Sequence, residues 1–292
     1  MNVDENCRLS DIFHIYLDFY TKNKLSFYSN YMAILYKSSK KSSKKKKKSL
    51  AKKIFKWTGK IILILFIFSI AITILYRWIN PPITPLMLIR KFSDGEPIKK
   101  EWVPIEDISP SLIASAIAAE DNRFLGHSGF DMGAIEKAID DRKTGKRKRG
   151  ASTISQQTAK NVFLWQRQSW IRKGFEVYFT VLIEVFWSKE RIMEVYLNVI
   201  EMGNGIYGCQ AASQAYFKKN AKKLTAREAA LITACYPNPR KWKPSNPTPY
   251  LEKRVTKIIQ LTKLIGKINF DEENLQKARE RYKKSRTEAK KN

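Results

Sequence analysis

Histidine is nearly missing from this chain: there are two in 292 residues, His14 and His127, and cysteine is hardly commoner at three. That scarcity excludes a His/Cys metal centre, because neither histidine stands at a ligand spacing from a cysteine. Cys7, Cys209 and Cys235 make no disulfide framework either. The last two lie in apolar, helix-like surroundings and read as small buried hydrophobes. Acidic side chains are also short, 27 against 55 lysines and arginines, which leaves a net charge of +28. On charge alone the chain would pass for a non-enzymatic scaffold or a nucleic-acid or membrane-surface binder. Alternating apolar–polar runs of strand length are absent, as are internal repeats, and the fold class that remains is mainly α.

What the sequence does have is one long apolar run. Residues 61–76, IILILFIFSIAITILY, carry no charge. As a helix they reach about 24 Å, and the flanking Trp57 and Trp78 extend this to roughly 30 Å, the thickness of a bilayer core. A buried core helix would show a polar stripe, and this run shows none, so it is expected to span a membrane over 61–79. The segment before it is too long for a cleaved signal peptide. Residues 37–60 hold twelve lysines and no acid, whereas 77–100 hold five basic residues. That bias puts the N-terminus in the cytoplasm and residues 80–292 outside, in the inner (cytoplasmic) membrane with the folded part on its outer or periplasmic face. It also assigns the basic arm to the membrane surface, with no nucleic acid.

The expected organisation is a basic N-terminal segment (1–60), the membrane helix (61–79), a helical domain (80–265) and a charged tail (266–292) whose last 20 or so residues should fray. NPPITP (80–85) makes a stiff exit from the membrane. Helix starts are expected at Ser109 with Pro110, at Ser169, at Ser188 and at Thr225, with stops near Gly203 and Pro237.

Three stretches carry chemistry. Ile113, Ala116, Ile117 and Glu120 fall on one helical stripe, and a carboxylate continuing an apolar stripe is partly desolvated, which suits proton transfer. The plainer alternative is that Glu120 and Asp121 end a helix at the solvent edge. In RGASTISQQTAKN (149–161), Gly150 frees the backbone, Ser152 can cap a helix, and Gln156, Gln157 and Lys160 line one edge. That edge suits a sugar beside a phosphate, or is simply a polar face. In RKGFE, Arg172, Lys173 and Glu176 share a face, either as a surface ion pair or as a phosphate clamp. His127, in the glycine-rich FLGHSGFD turn, reads as structural.

Singly these signals are weak. Together and in order, EDNRFLGHSGFD, GASTISQQTAKN, RKGFE, KERIMEVYLN and GCQAASQAYF closely resemble the five motifs of the peptidoglycan glycosyltransferases, glycosyltransferase family 51. The resemblance covers roughly 80–265. It implies a lysozyme-like α-helical domain with a smaller membrane-associated jaw. It also implies an inverting transferase that polymerises lipid II into β-1,4-linked glycan strands and releases undecaprenyl diphosphate. Glu120 matches the catalytic base. Lys160, Arg172 and Lys173 match the groups that steady the departing diphosphate. Glu176 matches a second catalytic glutamate, assisting departure directly or through a divalent cation (Mg or Mn) that travels with the diphosphate, since no cofactor is bound permanently. Ser152, Gln156, Gln157 and Asn161 match donor-site contacts. Family members carry arginine directly before the serine that leads into the third motif. Here Gln168 stands there and Arg167 precedes it, so Arg167 either takes over that phosphate contact or the contact is lost. The expected partners are lipid II, the growing glycan strand and membrane lipids, with cell-division or wall-synthesis proteins as further candidates.

Physical reasoning favours the same chemistry. A glycosidase must protonate an alkoxide leaving group, whereas a transferase expelling diphosphate needs positive charge around it. One desolvated glutamate followed by three cations and a second glutamate fits transfer better than the alternative, a lysozyme-like lytic hydrolase. The appended transpeptidase of the bifunctional relatives is not expected, since about 30 residues follow the last recognisable helix. In the fourth motif Ile192, Tyr196 and Val199 recur at core spacing, and Glu194 and Asn198 should make buried hydrogen bonds. The basic loop 140–150 is either a disordered connector or, as the resemblance implies, a segment beside the donor site whose five lysines and arginines between 143 and 149 sense lipid phosphates. Residues 83–92 and Phe130–Ile135 are read as segments that dip into the bilayer.

Overall fold

The computed structural model describes residues 44–145 and 150–291. The basic segment before residue 44, with Cys7 and His14, and residues 146–149 of the basic loop lie outside the described residues. The chain divides into two units, residues 1–65 and 66–292.

Helix α1 runs from Lys44 to Leu75 and so begins inside the lysine run. Its portion Lys53–Leu75, 23 residues that include an 18-residue window of mean hydropathy 2.4, is long and apolar enough to cross a membrane. The helix stops at Leu75, short of the expected 79, and continues as a hydrogen-bonded turn in which Ile79 N donates to Leu75 O at 3.0 Å. The reason lies in the side chains that meet its C-terminal carbonyls. Trp187 Nε1 donates to Thr73 O at 2.7 Å, and Arg191 donates to the carbonyls of Tyr76 and Ile79, each at 3.0 Å. Arg191 also reaches Asn80 Oδ1 at 2.9 Å and Glu194 at 2.7 Å. A cation over terminal carbonyls opposes the negative end of the helix dipole.

Among the described residues the remaining α-helices are α2 (Pro85–Asp94), α3 (Pro110–Glu120), α4 (Met132–Lys143), α5 (Ile154–Phe163), α6 (Trp170–Phe186), α7 (Lys189–Val199), α8 (Cys209–Phe217), α9 (Ala226–Ala234), α10 (Pro249–Ile265) and α11 (Glu272–Lys291). Ser109, Ser169, Ser188 and Thr225 cap α3, α6, α7 and α9 as the sequence predicts. A small sheet escapes sequence reasoning because its strands are too short to alternate: β1 (Lys99–Lys100), β2 (Glu201–Gly203) and β3 (Ile206–Tyr207), in the order β1-β3-β2. Gly208 turns the chain out of it at φ 82°, with Asn198 O 2.7 Å from where a Cβ would stand, so only glycine fits.

Two sets of helices meet at the core. α5 packs on α6 and α7, while α3 packs on α9 and α10. Leu112, Ala116, Ile117, Phe124, Ile154, Ile183, Ile192, Tyr196 and Leu197 are buried together between them. The stripe of α3 is therefore a core stripe, and its C-terminal end is delivered to the side of α5. Cys209 and Cys235 are free thiols inside this packing. Asn198 pairs twice with the backbone of Val103, accepting at 3.0 Å and donating at 2.8 Å, which confirms its reading as a scaffold residue.

Two expectations are corrected. The tail does not fray over Glu272–Lys291: α11 docks by Leu275, which is buried, and by Tyr282, whose hydroxyl accepts from Met132 N at 2.9 Å. Leu275, Ala278 and Tyr282 supply a helical stripe at intervals of three and four, which the surrounding charges concealed. Phe130 is buried and cannot enter a bilayer, whereas Ile83, Leu88, Ile89 and Phe92 of the other segment are exposed.

Candidate active site

The stretch from 149 to 161 is organised by its cap. Thr153, not Ser152, is the N-cap of α5, and with Gln156 it forms a capping box. Gln156 Oε1 accepts from Thr153 N at 3.0 Å, so this side chain, expected as a donor-site contact, is buried and used inside the fold. Ser152 is exposed just outside the helix. The hydroxyl was misassigned by one residue because Ser152 and Thr153 are both good caps; the box needs Gln156 at the third helical position, which selects Thr153.

Asp121 fixes where α5 sits. One of its oxygens accepts from Ile154 N at 3.0 Å, and the pair of oxygens holds His127 Nε2 at 2.9 and 3.2 Å. A carboxylate at a helix N-terminus is stabilised by the dipole and by the free N–H it accepts. His127 is thus a buried structural partner, as the sequence suggests.

The residue before Asp121 is Glu120. It is half-buried, and Gln157 Nε2 donates to its Oε2 at 2.7 Å. Gln157, read as a donor-site contact, therefore grips the carboxylate itself. Burial pushes the Glu120 carboxyl up from its ordinary value, and Gln157, Arg254 and Lys160 partly offset this. Arg254, on α10, was missed by sequence reasoning, since nothing in its local pattern says that α10 packs on α3. Tyr196, on α7, was placed correctly in the core but its hydroxyl was not foreseen: it donates to Gln157 Oε1 at 3.3 Å.

On the other side, α6 presents Arg172, Lys173 and Glu176. Arg172 Nη1 meets Glu176 Oε2 at 2.7 Å, and Lys173 Nζ donates to Glu176 Oε1. This is no surface pair: Glu176 and Arg172 side chains are 5% and 10% exposed. Lys160 feels Glu176, Arg172, Lys173 and Glu120 at once, and its burial lowers its pKa from the ordinary lysine value. The structure thus gathers Glu120, Gln157, Lys160, Arg172, Lys173 and Glu176 into one cluster. Asn161 spends its Nδ2 on Gln157 O at 2.9 Å, and Arg167 stands exposed in the loop between α5 and α6.

Proteins of known family match the region that holds this cluster. The family model described as transglycosylase matches residues 87–263. The chain belongs to the transglycosylase family. It is similar to the biosynthetic peptidoglycan transglycosylase of Bdellovibrio bacteriovorus, 54% identical over 209 residues, covering 70% of this chain and 84% of that protein. The protein of the same name from Bacteroides thetaiotaomicron is 52% identical over 221 residues, 74% of this chain and 89% of that one. The one from Shewanella oneidensis is 46% identical over 226 residues, 76% and 97% respectively. All five motif stretches fall within the matched residues.

Proposed function

We infer that this chain is a peptidoglycan glycosyltransferase, polymerising the lipid-linked disaccharide lipid II into glycan strands for cell-wall synthesis. The observation that carries the inference is the pairing of a half-buried carboxylate, Glu120, with a cluster of three cations centred on Lys160. Glu120 acts as base: it takes the proton from the 4-hydroxyl of the acceptor sugar as that oxygen bonds to C1 of the donor. The bond from C1 to the lipid diphosphate breaks on the opposite face, which inverts the anomeric centre. Lys160, Arg172 and Lys173 take up the negative charge that develops on the diphosphate. Glu176 holds Arg172 and Lys173 in place until the diphosphate competes for them. A lytic reaction would want a carboxylic acid beside the leaving oxygen, whereas a cluster of cations suits a departing diphosphate.

Both oxygens of Glu176 already accept from cations, and among the described residues no three His, Cys, Asp or Glu gather as metal ligands. This donor set does not fit a resident divalent ion, and no step above passes through one. Asn161, bonded to the Gln157 carbonyl, and the exposed Ser152 would serve as donor-side contacts, and the exposed Arg167 of the connecting loop would meet a phosphate. Helix α1, the one helix among the described residues long and apolar enough to cross a membrane, would anchor the chain, with its lysine-rich end cytoplasmic and the enzyme domain on the outer face of the inner membrane. Exposed Ile83, Leu88, Ile89 and Phe92 lean on lipid at that face.

The test is purified full-length chain with lipid II, compared with finished sacculi. Strand growth supports the reading, and release of soluble muropeptides from sacculi contradicts it. Glu120→Gln should abolish strand growth while the protein stays folded by circular dichroism.

A further inference from the structure

We propose that Tyr196 is a positioning residue for Glu120, acting through Gln157: its buried hydroxyl fixes which end of the Gln157 amide faces the carboxylate. The inference rests on Glu120 being the base.

A glutamine amide can turn over, presenting either its NH2 or its oxygen to a neighbour. The NH2 end stabilises an ionised carboxylate, whereas the oxygen end accepts only from a protonated one. In this structure Nε2 lies 2.7 Å from Glu120 Oε2 and Oε1 lies 3.3 Å from the Tyr196 hydroxyl. If the amide turned, its oxygen would face a carboxylate and its NH2 would face the Tyr196 hydroxyl oxygen, leaving the hydroxyl hydrogen with no acceptor among the described residues. Tyr196 itself cannot move aside: it is completely buried in the core and its ring meets that of Tyr236 edge-on at 6.2 Å. Gln157 is held from its own helix as well, since α5 is pinned to the end of α3 by the Asp121–Ile154 bond. A hydroxyl on α7 therefore donates to an amide on α5, which donates to a carboxylate on α3, a chain of hydrogen bonds running one way and ending on the acceptor.

The charged and titratable groups facing Glu120 are Asp121 beside it, Lys160 on α5, Arg254 on α10, and the hydroxyls of Tyr196 on α7 and Tyr236 after α9. Burial drives the Tyr196 phenol well above its ordinary value, so it remains a donor throughout the working pH range. Gln157 opposes the upward push of burial on Glu120. Locking the amide thus keeps the carboxyl ionised, ready to accept a proton, at a lower pH than burial alone would allow.

Tyr196→Phe keeps the ring and removes the lock. In strand growth from lipid II by the full-length protein, kcat should fall about 3- to 10-fold near the acid limb with KM little changed. That limb should move to higher pH by about 0.5 to 1, with activity largely recovered on the alkaline side. In a Gln157→Met background, which has no amide to lock, adding Tyr196→Phe should cost nothing further. Three results would overturn the proposal: no change in Tyr196→Phe, an equal loss at every pH, or a full additional loss on top of Gln157→Met. If Glu120→Gln is dead while Tyr196→Phe is normal, the relay is wrong and the base stands. An active Glu120→Gln enzyme removes the base assignment instead.

Discussion

Glu120 and Glu176 both act on Lys160, yet their surroundings differ in kind. Glu120 ends a core stripe, half-buried, and its direct contact is a neutral amide. Glu176 is more deeply buried, and each of its oxygens accepts from a cation one turn earlier on the same helix. Two chemically identical carboxylates are thereby given two tasks. The one without a bound cation is left with a raised proton affinity and can act as base. The one held by two cations, on the proposed mechanism, tethers the groups that would meet the diphosphate.

This contrast can be broken at either end. The largest effect should come from Glu120→Gln, with a loss of about 10³-fold or more in kcat/KM. The same change should leave stability equal or higher at neutral pH. The sign follows from the raised folded-state pKa: the ionised carboxylate disfavours the fold once the pH exceeds the unfolded value, and a neutral amide removes that cost. Arg172→Ala should behave in the opposite way for stability. It strips one cation from a buried carboxylate, so a fall of about 3 kcal/mol is expected together with a roughly 10²-fold loss in turnover. Thermal melts read beside strand-growth rates separate the two patterns; similar melting changes for both variants would erase the distinction.

A pH profile sharpens the comparison. Activity should fall on the acid side above the ordinary glutamate value of 4.5, because Glu120 protonates early. It should fall on the alkaline side below the ordinary lysine value of 10.5, because the lowered pKa of Lys160 makes it lose its charge early. Lys160→Arg should carry the alkaline limb upward and leave the acid limb nearly where it was. The smallest effect on chemistry is expected from Arg191→Ala, remote from both glutamates. Losing its charged hydrogen bonds to the end of α1 should cost about 2 kcal/mol of stability, read by melting in detergent. Turnover per folded molecule should change little in that assay.

The sequence makes some of this legible and hides the rest for physical reasons. Helix starts were readable because Ser109, Ser169, Ser188 and Thr225 cap within three residues of themselves. Glu120 was readable because the apolar stripe below it is local to α3. Arg172, Lys173 and Glu176 were visible as one face of one helix, though not as a buried cluster. What depends on contacts between helices was not: Arg254 and Tyr196 reach Glu120 and Gln157 from α10 and α7, and no spacing along the chain encodes that. Thr153 rather than Ser152 is the cap because the two hydroxyls are neighbours and the box needs Gln156 at its third position, and the Gln156 oxygen is engaged in that box. The docked tail was hidden because α11 has few apolar residues and many charges, and only the partner surface around Asp131 and Met132 shows why Tyr282 stays.

The central claim is that the Glu120 carboxylate carries the acid limb. The most direct measurement is the pH dependence of strand growth from lipid II, taken for the unmodified chain and for Glu120→Gln and Glu176→Gln under single-turnover conditions. The account predicts an acid limb that survives in Glu176→Gln, at reduced rate, and vanishes with the activity in Glu120→Gln. A profile whose acid limb persists without the Glu120 carboxylate and disappears without that of Glu176 would contradict it.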